Sequence, residues 1–159
     1  MAKVVVIYDT KTGNTEFMAQ AVAKGSKSVP KAEVSLKKVE QASIEDLLNS
    51  DAIIIGSPTY YGLMSAKIKG LLDRSVKIHG KLEGKVGAAF TSAGGTASGA
   101  ETTILSIIQA MLVHGMIVQG RHNGKHYGAA AVGKPNEKDL AIYEELGKRT
   151  TNLASLIHK

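Results

Sequence analysis

One short run has both the residue types and the spacing to hold an anion. Asp9-Thr10-Lys11-Thr12-Gly13-Asn14-Thr15 follows an apolar stretch and leads straight into a helical period. The first turn of a helix carries unpaired N–H groups and the positive end of the helix dipole, and Thr10, Thr12 and Thr15 add hydroxyl donors. That combination suits a phosphate monoester, although Thr and Asn also cap helices that bind nothing. The run lacks the Gly-Lys-Ser/Thr ending of a P-loop and the three spaced glycines of a dinucleotide loop, so an NTP or NAD bound here would lack its usual cradle.

The elements that must position this run alternate between short apolar strands and longer helical periods, the pattern of β-α units feeding a parallel sheet. Strands are expected at Lys3–Tyr8, Glu33–Val39, Asp51–Gly56, Lys85–Thr91 and Met116–Val118. The second alternates wet and apolar positions and so belongs at or near an edge. Helices are expected over 14–27, with Phe17, Ala21 and Met18 as its apolar stripe, then over 43–48, 65–76, 100–113 and 136–158. Residues 120–133 read as irregular. The sum is a five-stranded, doubly wound parallel sheet with helices on both faces, in a single domain over residues 1–159. In such a sheet, ligands gather outside the carboxyl ends of the strands, which selects the loops after strands one, three and four.

Composition narrows the chemistry further. The chain has 159 residues, enough to bury roughly 70% of its unfolded surface in one core. It has no cysteine, which removes disulfides, thiolate-held clusters and thiol nucleophiles, so redox work needs a bound cofactor. Apolar runs fall well short of the roughly 18 residues that cross a bilayer, and Met1-Ala2-Lys3 enters a strand without a leader pattern, so a cytoplasmic protein with no membrane partner is expected. A net charge of +6 points to an anionic cofactor or an acidic partner. Nucleic acid is disfavoured because the chain has no Trp, two Phe and five Tyr to stack on bases. His114, His122 and His126 lack the neighbouring acids or cysteines of a metal set, and no Gly-x-Ser-x-Gly elbow follows a strand, so neither a metal nor a hydrolytic triad is assigned.

The first loop resembles the flavodoxin family signature at every position: Val6-Ile7-Tyr8, Thr10, Gly13, Thr15, Ala19 and Val22. That resemblance implies a flavodoxin-like fold with FMN as cofactor, and Thr10, Lys11, Thr12, Gly13, Asn14 and Thr15 around its phosphate. Asp9 is expected to turn its side chain away from the dianion. In Ser57-Pro58-Thr59-Tyr60-Tyr61-Gly62-Leu63, either Tyr60 or Tyr61 can wall a flavin ring, with Tyr61 preferred, while Gly62 can take a positive φ. Pro58 and Thr59 complete that loop. In the third loop, Ser92, Ala93, Gly94, Gly95, Thr96 and Ser98 let the backbone approach the ring's polar edge.

The Gly94-Gly95 loop, the following Gly99–Leu105 segment, His114-Gly115-Met116 and Tyr127-Gly128-Ala129 are more similar to the WrbA-type NAD(P)H:quinone oxidoreductases. Those enzymes carry an insertion before the third strand that is absent here, and often two His where this chain has Val113-His114. Two functions follow. One is a one-electron carrier whose partner is an acidic redox protein such as a ferredoxin. The alternative is an enzyme taking hydride from NAD(P)H and reducing a quinone. No residue is assigned as catalytic, because the flavin would carry the chemistry. A homo-oligomer is compatible with both. Lys67, Lys69, Arg74, Lys77, Lys81 and Lys85 form a basic stretch that reads first as a solvated helix face; were it to border the flavin edge, its natural partner would be an acidic carrier or the phosphates of NAD(P)H.

Overall fold

The structure is a computed structural model that describes residues 1–158. Apolar, β-branched runs build its centre. β1 (Lys3–Tyr8), β3 (Ala52–Pro58) and β4 (Val86–Ala93) are buried almost end to end, as strands covered on both faces must be. β2 (Glu33–Lys38) alternates exposed and half-buried residues and lies at the edge. All pairings are parallel, in the order β2-β1-β3-β4-β5. The chain therefore moves outward from β1 in one direction and then in the other, which places a topological switch point between the carboxyl ends of β1 and β3.

Alternation along the strands feeds two cores. Val4, Val6 and Tyr8 face α1 (Asn14–Lys27) and α5 (Glu137–Ile157), while Val5 and Ile7 face α3 (Ala66–Arg74) and α4 (Ala100–Val113). α2 (Ile44–Leu48) is held by a capping box in which Ser43 and Asp46 satisfy each other's backbone N–H groups. α1 and α5 touch through their backbones. A Cβ on Gly25 would lie 1.9 Å from the Glu144 oxygen, and one on Gly147 would lie 2.0 Å from the Val22 oxygen.

Three expectations need correction. Phe17 is 48% exposed and lies outside the stripe of α1, which runs through Met18, Ala21, Val22 and Gly25. Ser92 and Ala93 belong to β4 rather than to the loop, since they pair with Pro58 of β3 and with Ala131 and Val132. The irregular tract over 120–133 contains β6 (Ala129–Val132), parallel to the carboxyl half of β4. β5 (Ile117–Val118) pairs only with Val86 and Gly87 at the other end of β4. The fifth position of the sheet is thus a strand split in two, with residues 119–128 looping out between the halves.

Candidate functional site

The anion site stands on the end of α1. Gly13 occupies the N-cap position in the left-handed region (φ 94°), and no side chain caps the helix. The Thr10 hydroxyl accepts the Gly13 N–H at 3.0 Å, which folds the loop back over the helix end. The first bond inside the helix runs from Phe17 N–H to the Gly13 oxygen, so the N–H groups before it point outward. A Cβ built on Gly13 meets nothing within 4 Å, so its positive φ rather than crowding demands glycine, and space lies open in front of the helix. Lys11 and Thr12 are exposed beside that space, Asn14 is half-buried and Thr15 is buried. The Thr15 hydroxyl bonds the Ser92 hydroxyl at 2.7 Å and ties this loop to the end of β4.

Three acidic groups, Asp9, Glu16 and Glu40, stand in or near this loop. The Asp9 carboxylate is buried 3.9 Å from Lys67 Nζ, which also bonds Glu40. That bond to Glu40, followed by the charge on Asp9, raises the Lys67 ammonium above its ordinary range. The Tyr8 hydroxyl donates to Glu16 at 2.8 Å, and burial, reinforced by that carboxylate, pushes the phenol up to about 12. Asp9, Thr10 and Lys11 form one wall of a cleft of about 390 Å³ whose other wall is Tyr60 with Ser65, Ala66 and Lys67.

The second loop is a two-residue hairpin. Tyr60 and Leu63 exchange both backbone bonds at 3.0 Å, and the corner residues Tyr61 and Gly62 have φ of 50° and 74°. Positive φ at both corners suits the right-handed twist of the flanking strands. Tyr61 projects wholly into solvent, Tyr60 is 41% exposed, and Thr59 bonds Thr91 through the two hydroxyls at 2.8 Å. Gly62 rests on Gly99 at the start of α4, where a Cβ on Gly99 would come within 2.6 Å of the Gly62 Cα.

The third loop runs from Gly94 to Gly99. A Cβ on Gly94 meets nothing within 4 Å, and one on Gly95 meets only Ser98 Cβ at 4.0 Å, so both glycines border open space. Ser98 donates to the Gly95 oxygen at 2.6 Å. Thr96 is exposed, and α4, like α1, begins on a left-handed glycine without a side-chain cap. The three loops meet at the switch point through Thr15–Ser92, Thr59–Thr91, Thr59 N–H to Ser92 oxygen (2.8 Å) and Gly62–Gly99.

Sequence reasoning missed a neighbouring cleft. It lies along the third loop, between Ala93–Ile104 and Lys125–Val132, with a volume of about 260 Å³. It depends on β6, which was read as irregular, and the resemblance at Tyr127-Gly128-Ala129 was its one signal.

Other singled-out residues lie elsewhere. His114 follows α4 and precedes the strand that pairs with Val86, so it sits at the opposite end of the sheet from the three loops. It is buried there, with Nε2 2.7 Å from the Ser75 hydroxyl and its ring 5.7 Å from that of His79. The basic stretch does not form one patch at the site. Lys69 pairs with Asp73, and Lys85 lies near the amino end of β4, where it donates to the Leu48 and Ser50 oxygens. Only Lys67 reaches the cleft beside the first loop.

Residues 26–125 match the family described as NADPH-dependent FMN reductase. A flavodoxin of Aquifex aeolicus is 41% identical over 157 residues, spanning 94% of this chain and 85% of its own. An NAD(P)H dehydrogenase (quinone) of Archaeoglobus fulgidus is 37% identical over 188 residues, spanning 97% of this chain and 98% of its own. That alignment is longer than the chain, so part of this relative has no counterpart here. Among solved structures, a flavodoxin from the domain Archaea superimposes with a TM-score of 0.81 at 27% identity, covering 96% of this chain and 99% of that one. A flavodoxin, WrbA-like protein from Agrobacterium tumefaciens gives 0.82 at 26% identity, covering 99% of each.

Proposed function

The chain belongs to the flavodoxin-like family of FMN proteins, and on that footing we propose that it is an electron-transfer protein that works through one FMN held at the switch point. One observation carries the proposal: an uncapped helix end behind a left-handed Gly13, with open space in front of it and threonine hydroxyls on either side. The residues fit the group. Thr10, Lys11, Thr12, Gly13, Asn14 and Thr15 hold its phosphate with N–H groups, hydroxyls and one ammonium. Pro58, Thr59, Tyr60, Tyr61 and Gly62 wall its ring. Ser92, Ala93, Gly94, Gly95, Thr96 and Ser98 bring backbone close to its polar edge, beside glycines whose missing side chains leave the room. FMN supplies there the electron chemistry for which a cysteine-free chain has no side chain of its own.

The protein's contribution is orientation and electrostatics. The two ring loops contain no Asp or Glu, and the Asp9 carboxylate lies beside the Lys67 ammonium, so negative charge around the ring is low. A net charge of +6 suits an acidic redox protein such as a ferredoxin as docking partner. The protein acts as one domain in the cytoplasm; no helix among the described residues is long and apolar enough to cross a membrane.

A second reading, an NAD(P)H:quinone oxidoreductase using the same flavin, is supported by the relative from Archaeoglobus fulgidus and by the cleft along the third loop. Titration of apoprotein with FMN, FAD and riboflavin tests the shared core: FMN is expected to bind most tightly, and preference for FAD or no flavin uptake would overturn it. Stopped-flow mixing of the FMN-loaded protein with NADPH, with and without a quinone, separates the readings. Rapid bleaching by NADPH with turnover on quinone identifies the enzyme, and inertness to NADPH identifies the carrier.

A further inference from the structure

Asp9 is an unexpected neighbour for a phosphate. It leads directly into the first loop, its carboxylate is buried, and its backbone is fixed by the bond from its N–H to the Gly56 oxygen of β3 at 3.1 Å. Among the described residues its ion-pair partner is Lys67, whose Nζ lies 3.9 Å away.

Lys67 is misplaced in the opposite sense. It stands in the first turn of α3, where the positive end of the helix dipole disfavours a cation, and no acidic residue shares that turn. The turn is also pinned. Ser65 caps it, and the Ser65 N–H donates to the Ser57 hydroxyl near the end of β3 at 2.8 Å. What holds the ammonium at this helix end is therefore the pair of carboxylates it meets, Asp9 and, in the turn after β2, Glu40 at 2.5 Å. We propose that Lys67 is a positioning residue for the FMN phosphate that acts through Asp9: its ammonium offsets the carboxylate beside the loop and so lets the loop hold a dianion. This rests on the reading that the FMN phosphate occupies the first loop.

The charges around that loop show why the offset matters. Asp9, Glu16 and Glu40 stand against Lys11 and Lys67, with Lys38 at the end of β2 adding a weaker positive charge beside Glu40. Glu16 accepts the Tyr8 hydroxyl, a bond that leaves its charge in place. The bond from Lys67 holds the Glu40 carboxyl below its ordinary range, so Glu40 is charged throughout the neutral range. Without Lys67, Lys11 would be left opposing three carboxylates and an incoming dianion. Asp9 is the most repulsive of the three, because a buried carboxylate deprived of its cation acts through a less polar medium than an exposed one.

A double-mutant cycle on the full chain tests this, with FMN and riboflavin titrated into apoprotein and followed by flavin fluorescence. Lys67→Met is expected to lower FMN affinity about tenfold while riboflavin affinity stays within about twofold. Lys67→Arg keeps the cation and should keep the affinity. In an Asp9→Asn background the same Lys67→Met change should cost less than about threefold, since the carboxylate to be offset is gone. A phosphate monoester loses its second charge near pH 6, so the Lys67→Met deficit should shrink between about pH 7.5 and about pH 5.5. Circular dichroism verifies the fold of each variant. A mere strut between α3 and the turn after β2 would lower FMN and riboflavin affinity alike at every pH. That result, an undiminished loss in the Asp9→Asn background, or unchanged FMN affinity in Lys67→Met would overturn the proposal. The two layers fail differently: wild-type protein that binds FMN no more tightly than riboflavin sinks the phosphate reading, whereas discrimination in the wild type without coupling in the cycle sinks the Lys67 assignment alone.

Discussion

Thr12→Ala separates phosphate recognition from folding better than any other change at the first loop. The side chain is exposed, and among the described residues its hydroxyl has no protein partner, so its loss should alter stability by no more than about 0.5 kcal/mol. Bound to a phosphate, the same hydroxyl bonds a charged acceptor, an interaction of about 1.5–3 kcal/mol. At 1.4 kcal/mol per factor of ten, FMN affinity should fall roughly ten- to hundredfold. Riboflavin, which lacks the phosphate, supplies the internal control and should bind wild type and variant alike. Quenching of flavin fluorescence at fixed ionic strength measures both. An unchanged FMN affinity, or an equal loss for riboflavin, would refute the assignment and return the loop to a plain helix entry. Thr15→Ala is the contrasting case: its buried hydroxyl bonds Ser92, so removal leaves a polar group unpaired and should cost about 1–3 kcal/mol of stability as well as flavin affinity.

Three further outcomes are expected. Gly25→Ala should lower Tm by about 5 °C, because the roughly 1 kcal/mol that Ala gains in a helix is outweighed by a methyl 1.9 Å from the Glu144 oxygen; a raised Tm in a thermal scan would contradict the close packing. Tyr61→Asn should keep Tm, since the side chain is wholly exposed and Asn accepts a φ of 50°, yet weaken FMN severalfold if Tyr61 stacks on the ring; retained affinity assigns the stacking to Tyr60. Burial first, and then the neighbouring His79, holds the His114 imidazole below its ordinary 6.5. Its contribution to stability is therefore complete above pH 6.5 and is lost as pH falls through the lower folded value, so urea midpoints should drop below pH 6.5 more steeply in wild type than in His114→Asn.

Much of the site was legible because backbone chemistry dictated it. Gly62 was placed by its capacity for a positive φ, and it has one; Gly13, read from the signature as a small residue before the helix, turns out to need one too. The helices at 14–27 and 100–113 were readable to the residue, from a glycine before the first turn and from unbroken helical periods. What escaped was decided by tertiary contact. β6 is three alanines and a valine flanked by glycines, a segment of weak strand propensity that pairs only because β4 offers it a free edge. Phe17 misled for the opposite reason: an apolar side chain was assumed to point inward, whereas the approach of α5 admits only small residues such as Ala21 and Gly25 on that face. The slot beside the third loop was invisible because it exists only between elements far apart in the chain.

The glycine contact between α1 and α5 also bears on how the protein matures. α1 ends at Lys27 and α5 begins at Glu137, so on a ribosome adding about 5–20 residues per second the first helix waits on the order of ten seconds for the second. Through that interval the face carrying Met18, Ala21 and Val22 lacks its covering helix, a surface that a chaperone would recognise. The helix that presents the anion site is seated firmly only when its late partner arrives. A chain truncated before α5 is therefore expected to hold FMN more weakly than the full chain, which flavin fluorescence of the truncated protein would measure.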